Sequence, residues 1–297
     1  MIIALMGHER LMAPPFPEDL AQQLLSLVRE ADRDRYLCLL LTPETRRAEI
    51  SALYAFNAEL AQIRERISDP AAGEVRLAWW EQVIDGIYTG DVVNAPVPQG
   101  LARAVEAGDI PRHTLLNMIE ARRFDLFDDP MPDLNTLEGY LGETASALLQ
   151  MSALVLAGYD ALECAEVSGL AGVASGLTGM LRSLPVHRAR GQCYVPVTML
   201  EKQGLQPAHV LAGRDGAAME LVLLELVVHA QRRLSEARRA ATRVPEQALA
   251  AYLPVSLTEA YLKRLGKARA SMLTRVVSRP QWMNQLTLLK AVKSEIF

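Results

Sequence analysis

The stretch Ala52-Leu53-Tyr54-Ala55-Phe56-Asn57-Ala58-Glu59-Leu60-Ala61-Gln62-Ile63-Arg64-Glu65-Arg66 decides how this chain folds. It contains almost no turn residues. Ile50, Leu53, Tyr54, Asn57, Leu60, Ala61 and Arg64 recur at steps of three and four, the period of one helical face. A polar Asn57 and a small Ala61 sit on an otherwise apolar stripe, so the spacing predicts a helix that walls a central cavity.

Outward from that stretch, composition points the same way. Of 297 residues, 50% are hydrophobic and only 5% aromatic. Ala and Leu dominate, and both lose little on entering a helix. The formal net charge is −4, with both signs interspersed, so no basic patch marks a nucleic-acid partner. Cys38, Cys164 and Cys193 are widely spaced and form no C-x-x-C pair. That set argues against a disulfide framework or zinc site and fits a reducing, cytoplasmic compartment. The apolar start Met1-Ile2-Ile3-Ala4-Leu5-Met6 lacks a basic region and stops at Gly7-His8-Glu9-Arg10. Residues 1–16 are expected to be irregular, with Met6 or Met12 as alternative starts, and not to be a signal peptide. No uncharged apolar run reaches 18 residues, so no spanning helix is expected.

Taken in order, helix follows helix. Residues 17–32 are amphipathic, and 36–41 form a short apolar helix. Thr42-Pro43-Glu44 is a start signal, with Thr42 as cap and Pro43 in the first turn. The helix it opens carries the deciding stretch and stops near Ser68-Asp69-Pro70. Further helices are expected over about 71–88, 99–106, 111–124, 135–157 (Asn135 and Glu138 at capping-box spacing), 161–182, 197–203, 215–242, 257–277 and 281–297. The segment 161–182 is rich in Gly and Ala, which lets neighbouring backbones approach closely or leaves room for a ligand. No period-2 run, repeat or linker divides the chain, and residues 17–297 are expected to form one all-α domain.

The motifs of nucleotide, zinc-hydrolase and serine-hydrolase chemistry are absent. The five histidines are scattered. Asp125, Asp128, Asp129 and Asp133 form a local acidic group, read here as a solvated loop of ordinary turn chemistry. Glu59 and Glu65 are six apart and do not share a face.

The order of several motifs is more specific. Ala52-Leu53-Tyr54-Ala55-Phe56-Asn57, Leu77-Ala78-Trp79-Trp80, Tyr88-Thr89-Gly90, Phe124-Asp125-Leu126, the helix from Tyr140 to Gln150, and Gly176-Leu177-Thr178-Gly179-Met180-Leu181-Arg182 occur in turn. Arg190-Gly191-Gln192-Cys193-Tyr194-Val195-Pro196 follows. Together, over roughly residues 33–205, they resemble the squalene/phytoene synthase family. The resemblance implies an all-α isoprenoid (terpenoid) synthase bundle around a central apolar cavity. It also implies prenyl diphosphate chemistry, in which two D-x-x-x-D motifs face each other and hold Mg²⁺ against the diphosphates.

This chain departs from that pattern. The first motif aligns with Ala61-Gln62-Ile63-Arg64-Glu65 and keeps one acid; the second aligns with Ser183-Leu184-Pro185-Val186-His187 and keeps none. Pro185 predicts that the second helix ends near Arg182. The family's hydroxyl-bearing phosphate contact aligns with Arg33-Asp34-Arg35-Tyr36, which is basic instead. Phe56-Asn57-Ala58-Glu59-Leu60 and Leu181-Arg182-Ser183-Leu184-Pro185 resemble one branch of the family, the mitochondrial respiratory complex I assembly factor and its bacterial relatives. That resemblance implies a non-catalytic member without a cofactor. It would assist complex I subunits or assembly intermediates, with an apolar lipid or isoprenoid bound.

The alternative implied function is a prenyl transferase with an altered site, in which Arg64, Arg182 and Arg190 replace part of the magnesium charge and Glu65 is the one metal ligand. The ligand- or diphosphate-binding candidates are Arg47, Tyr54, Asn57, Ala61, Arg64, Glu65, Tyr140, Arg182, Arg190 and Tyr194. For Tyr54 and Tyr194, core packing is the competing reading; for Asn57, helix-to-helix bonding; for Arg182, Arg188 and Arg190, a solvated basic turn. Trp79 and Trp80 are expected at packing or membrane-surface positions. Peripheral membrane contact, on the inner membrane and from the matrix side in a eukaryote, would use the N-terminal helix or the stripe Leu286, Leu288, Leu289, Val292 and Ile296.

Overall fold

A computed structural model describes residues 16–214 and 216–294. The expectations for residues 1–15 and for Asp215 and Ile296 lie outside the described residues. Every regular element among the described residues is helical. Helices α1 (Glu18–Ala31), α2 (Arg33–Leu39), α3 (Glu44–Ala61), α4 (Ile63–Arg66), α5 (Pro70–Thr89), α6 (Pro96–Gly108) and α7 (Arg112–Arg123) form the first half. The second half holds α8 (Leu134–Leu141), α9 (Ala147–Ala157), α10 (Ala165–Arg182), α11 (Leu184–Ala189), α12 (Val197–Glu201), α13 (Pro207–Leu211), α14 (Ala217–Ala240), α15 (Thr258–Ala268) and α16 (Gln281–Ser294).

Helix α3 is buried on nearly every side: Ile50 through Asn57 form an unbroken buried run. A helix surrounded in this way loses the one-sided pattern of a surface helix, because neighbours cover all its faces. Phe56 meets Trp80 edge-on, with ring centroids 4.9 Å apart. The two tryptophans divide: Trp80 is 2% exposed and packs, whereas Trp79 is 41% exposed.

Two apolar cores share α9 as their common wall. Leu148, Met151 and Val155 face the core of α1, α3, α5, α6 and α7, whereas Leu149, Ala153 and Leu154 face that of α10, α14 and α15. Burial of each Leu or Met contributes roughly 1.5–3 kcal/mol before conformational entropy is counted. A third cluster, Leu37 and Cys38 with Leu253, Leu257, Tyr261 and Leu288, ties α2 to the C-terminal helices. All three cysteines are buried and free. In α10, Gly172 lies against the backbone of Ser146, where an added Cβ would stand 2.3 Å from the Ser146 Cα. Gly172 and Gly176 serve close approach, whereas Gly179 meets nothing within 4 Å and lines the cavity between the two cores.

Several local expectations change. Thr42 is not the cap of α3; Pro43 precedes the first helical residue and Thr42 Oγ1 donates to the Cys38 carbonyl at 3.0 Å. Helix α8 is capped by Asp133, which accepts from Thr136 N at 2.7 Å, and not by an Asn135–Glu138 box. The helix starts one residue before Asn135, and Glu138 is turned instead to Arg233 and His229. The helix expected at 135–157 is two, joined by a π-helical turn over Gly142–Ser146. Residues Glu246–Leu257, unassigned from the pattern, form an extended 3₁₀ segment. Gly90, at φ +86°, closes α5 as expected of a residue free of the left-handed penalty.

One stretch bears on the expectation of no spanning helix. Leu134–Arg182 contains a window long and apolar enough to cross a membrane by length and composition, and half of that window is buried. The path through it is interrupted by the π-helical turn and by the 3₁₀ segment Gly158–Cys164, and α10 packs along α14. The buried half of that window packs as core helix.

Candidate functional site

Between the two cores lies a cavity of about 610 Å³. Its polar wall is assembled by helices that stop where they meet it. Helix α3 ends at Ala61, Gln62 breaks the path, and α4 restarts it, which brings Asn57, Ala61, Arg64 and Glu65 to the cavity. Helix α10 ends at Arg182, as Pro185 predicts, and α11 carries His187 to the same space. The end of α7 and the 3₁₀ turn Phe124–Leu126 supply Arg122 and Asp125, and α8 supplies Tyr140.

Asp125 is the centre of this wall, 6% exposed. Tyr194 Oη donates to its Oδ1 at 2.6 Å, Tyr140 Oη approaches both carboxylate oxygens at 2.9 Å, and Arg122 Nη1 reaches Oδ2 at 3.1 Å. Arg122 also donates to Tyr140 Oη at 2.7 Å and to Asn57 Oδ1 at 3.3 Å. Gln192 Nε2 closes the set by donating to the Asp125 carbonyl at 3.0 Å and to Tyr194 Oη at 3.1 Å. Burial pushes both tyrosines above the ordinary phenol range, and the Asp125 charge adds to this, so they stay protonated donors. Burial alone would lower the pKa of Arg122, but Tyr140 and Asp125 outweigh it and hold the guanidinium charged. His187 lies edge-on to Tyr194, with centroids 4.8 Å apart. Burial brings its pKa down to about 4; Asp125 opposes this, while Arg190 and Arg122 reinforce it. His187 is therefore neutral at pH 7.

At the rim, Arg64 pairs with Asp128 at 2.9 Å and Arg190 with Glu65 at 2.8 Å. At the opposite end, Asp34 accepts from Tyr261 Oη at 2.7 Å and Asn284 Nδ2 at 2.8 Å, with Arg182 at 3.4 Å. Arg182 also lies over the Tyr261 ring, 3.5 Å from its centroid. Beyond these charges the lining mixes apolar Leu141, Leu149, Met180, Leu257 and Val276 with the hydroxyls of Thr144, Ser175, Thr178, Ser183 and Thr258. The chamber thus carries charged groups at both ends with apolar and hydroxyl side chains between them, where an apolar cavity was expected.

Eight of the ten candidates line it: Asn57, Ala61, Arg64, Glu65, Tyr140, Arg182, Arg190 and Tyr194. Arg47 does not. Its Nε donates to the Leu39 carbonyl at 2.9 Å and Nη2 to the Thr42 carbonyl at 3.2 Å, which ties down the end of α2. Tyr54 is a core residue beneath Arg35, whose guanidinium carbon lies 5.5 Å from the ring centroid. Asn57 lines the cavity and is also the inter-helix acceptor of its competing reading, bonded by Arg122. Asp125 overturns its reading as part of a solvated loop, because the 3₁₀ turn carries it inward while Asp128 and Asp133 stay outside. Asp34, His187 and Gln192 stood within the aligned motifs but not among the candidates, and Arg122 was passed over. Most of their partners lie far away in sequence; Arg122 three residues before Asp125 and Gln192 two before Tyr194 were the local signals.

The family resemblance raises the question of magnesium. Each carboxylate that lines the cavity is already engaged: Asp125 by two tyrosines and Arg122, Asp34 by Tyr261, Asn284 and Arg182, Glu65 by Arg190, and Asp32 by Arg35 and its backbone N–H. Magnesium needs a near-octahedral oxygen set at its diphosphate, and no group of three His, Cys, Asp or Glu side chains able to hold a metal forms among the described residues. The donor set, Glu65 included, does not fit a magnesium cluster.

Residues 28–284 match the sequence profile of the squalene/phytoene synthase family. Over 241 residues the chain is 30% identical to a protein of Rattus norvegicus named NADH dehydrogenase (ubiquinone) complex I, assembly factor 6, covering 81% of this chain and 72% of that protein. It is 31% identical over 198 residues to the chloroplastic phytoene synthase 3 of Zea mays, covering 63% of this chain and 45% of that enzyme. In three dimensions it resembles a squalene synthase from Alicyclobacillus acidocaldarius, with a TM-score of 0.75, 20% identity, and coverage of 88% of this chain and 98% of that one. At that identity, the structural likeness speaks for the fold alone.

Proposed function

The chain belongs to the squalene/phytoene synthase family, and on that premise we propose that residues 17–297 act as a non-catalytic unit that assists assembly of respiratory complex I. The observation that carries this reading is the engagement of every cavity carboxylate by an arginine, a tyrosine or an amide, where prenyl-diphosphate chemistry needs carboxylates open to magnesium. The similarity to assembly factor 6 proteins, longer in both chains than that to the plant enzyme, supports it. The cavity then holds an apolar lipid or isoprenoid, and complex I subunits or assembly intermediates are the partners.

Such work takes place at the inner membrane, on the matrix side in a eukaryote and on the cytoplasmic side in a bacterium. Helix α16 offers the surface for that contact. Trp282 is 59% exposed, and Leu286, Leu289 and Val292 are exposed with it, beside Lys290 and Lys293. Leu288, from the same stripe, is turned into the core.

The test is deletion of the gene in its host, followed by measurement of complex I content and NADH–quinone activity. Loss of both, restored by the intact chain, is expected; normal content and activity would remove the assembly role. The transferase reading draws its support from the likeness to phytoene synthase and from the arginines of the cavity. Product formed from farnesyl or geranylgeranyl diphosphate would restore it.

A further inference from the structure

Tyr140 borders two concavities. One is the chamber; the other is an open groove of about 740 Å³ between α7 and α8. Helix α7 and the turn after it contribute Asn117, Glu120, Ala121 and Phe124 to the groove. Helix α8 contributes Asn135, Thr136, Gly139 and Tyr140, and the π-helical turn adds Glu143. Both sets advance by three and four residues, so each helix presents a single face. The two elements meet where α7 packs against the π-helical turn. Phe124 and Phe127 make the groove apolar, and Phe127 is 43% exposed.

Gly139 has no explanation inside the fold. It is exposed and lies within α8, and a Cβ added there would meet nothing within 4 Å. Its φ is not positive, so the backbone does not demand glycine, yet glycine weakens a helix relative to alanine. Close approach of another backbone from outside accounts for it. The groove edge is also one-signed. Arg123, the only cation lining it among the described residues, is shared by Glu74, Glu81 and Glu120. Glu143 is exposed and forms no ion pair among the described residues. Four carboxylates against one guanidinium leave the edge net negative. Such an edge repels anionic lipid and attracts lysine and arginine.

We propose that the α7–α8 groove docks a basic amphipathic helix of a partner protein. The apolar stripe of that helix rests on Phe124 and Phe127, its backbone approaches Gly139, and its lysines or arginines face Glu120 and Glu143. Helices held in grooves use apolar anchors at the same three- and four-residue steps that the two walls show. The inference rests on the assembly reading for the existence of a partner and deepens it by giving the surface and the chemistry of contact.

The test is calorimetric titration of the full chain with a synthetic peptide of leucine and lysine, amphipathic as a helix and about 18 residues long so that the helix can hold. A scrambled peptide of the same composition and one with glutamate for lysine are the controls. The amphipathic peptide is expected to bind at least about tenfold more tightly than either control and to slow amide exchange in residues 117–124 and 135–143. Gly139→Leu enters open space, so the melting temperature should stay or rise while affinity falls about tenfold or more. The Glu120→Gln, Glu143→Gln double variant should bind more weakly and with less dependence on salt.

No binding, a control that binds as well, protection elsewhere, or a folded Gly139→Leu variant with wild-type affinity would each overturn the proposal. So would self-association that Gly139→Leu abolishes, because the occupant would then be a second copy, offering the exposed Trp282, Leu286 and Leu289 of its α16. The complex I phenotype is read separately. Peptide binding in a protein whose deletion leaves complex I intact retains the groove and discards the assembly role; loss of complex I without peptide binding does the reverse.

Discussion

Asp125 and Asp34 are two aspartates surrounded by the same chemistry, and the molecule uses them differently. Each accepts from a tyrosine hydroxyl and faces an arginine. Around Asp34 the donors come from α10, α15 and α16, and Asn284 is almost wholly buried as it bridges Asp34 and Tyr261. That cluster closes one end of the fold by pinning the C-terminal helices over α2. Around Asp125 the donors come from the cavity wall itself and include two tyrosines kept protonated by burial. Both clusters border the chamber, but the Asp34 cluster also latches the C-terminal helices to α2. In neither is the carboxylate open to a metal ion, since its oxygens face donors that keep their protons.

Asp125→Ala should separate the two most sharply. Removal of the carboxylate strands the buried Arg122 charge and two hydroxyls, and the expected loss is about 3–5 kcal/mol in chemical denaturation. A loss below about 1 kcal/mol, the net worth of a single ordinary hydrogen bond, would mean that Asp125 is not the centre of its wall.

The pH response of His187 comes next. Its folded pKa of about 4 lies below the ordinary 6.5, so between those values the unfolded chain binds more protons than the folded one. Stability contributed by the neutral ring is complete above pH 6.5 and is lost as pH falls toward 4. The loss amounts to roughly 3 kcal/mol at most, since each pKa unit is worth about 1.4 kcal/mol. His187→Gln should flatten this part of the stability profile. A variant with the same slope as the parent would place the titration elsewhere.

On the latch side, Asn284→Ala removes donations to Asp34 and Tyr261. It should cost about 1–3 kcal/mol and raise amide exchange in α16 while α3 stays protected. Burial raises the Tyr261 hydroxyl to about 12, with Arg182 pulling the other way, so that hydroxyl remains a donor throughout the test. Uniform loss of protection would show that the cluster is not a local latch. The smallest change is expected at the rim, where Asp128→Ala breaks an exposed pair with Arg64 and should alter stability by less than about 1 kcal/mol.

The helical architecture was legible because period and punctuation are local. The face carrying Asn57 and Ala61, the stop after Arg182 imposed by Pro185, and the small residues of α10 could all be read from near neighbours. The Asp125 wall could not. Asp125 stands among Asp128, Asp129 and Asp133, and nothing in that run tells which aspartate the 3₁₀ turn carries inward. Its partners Tyr140, Gln192 and Tyr194 arrive from α8 and from the loop after α11. Arg47 and Tyr54 share helix α3 with real lining residues, but they point to the α2 end and to the core. Periodicity gives a face, and tertiary packing decides what that face meets.

The most direct measurement is a turnover assay of the purified full chain with farnesyl and geranylgeranyl diphosphate in the presence of Mg²⁺, following diphosphate release and hydrocarbon product. The occupied carboxylates predict neither above the protein-free blank. Sustained, magnesium-dependent release of diphosphate with a condensed hydrocarbon product would contradict the account, because it would require carboxylates open to metal where the structure pairs them with arginine, tyrosine and asparagine.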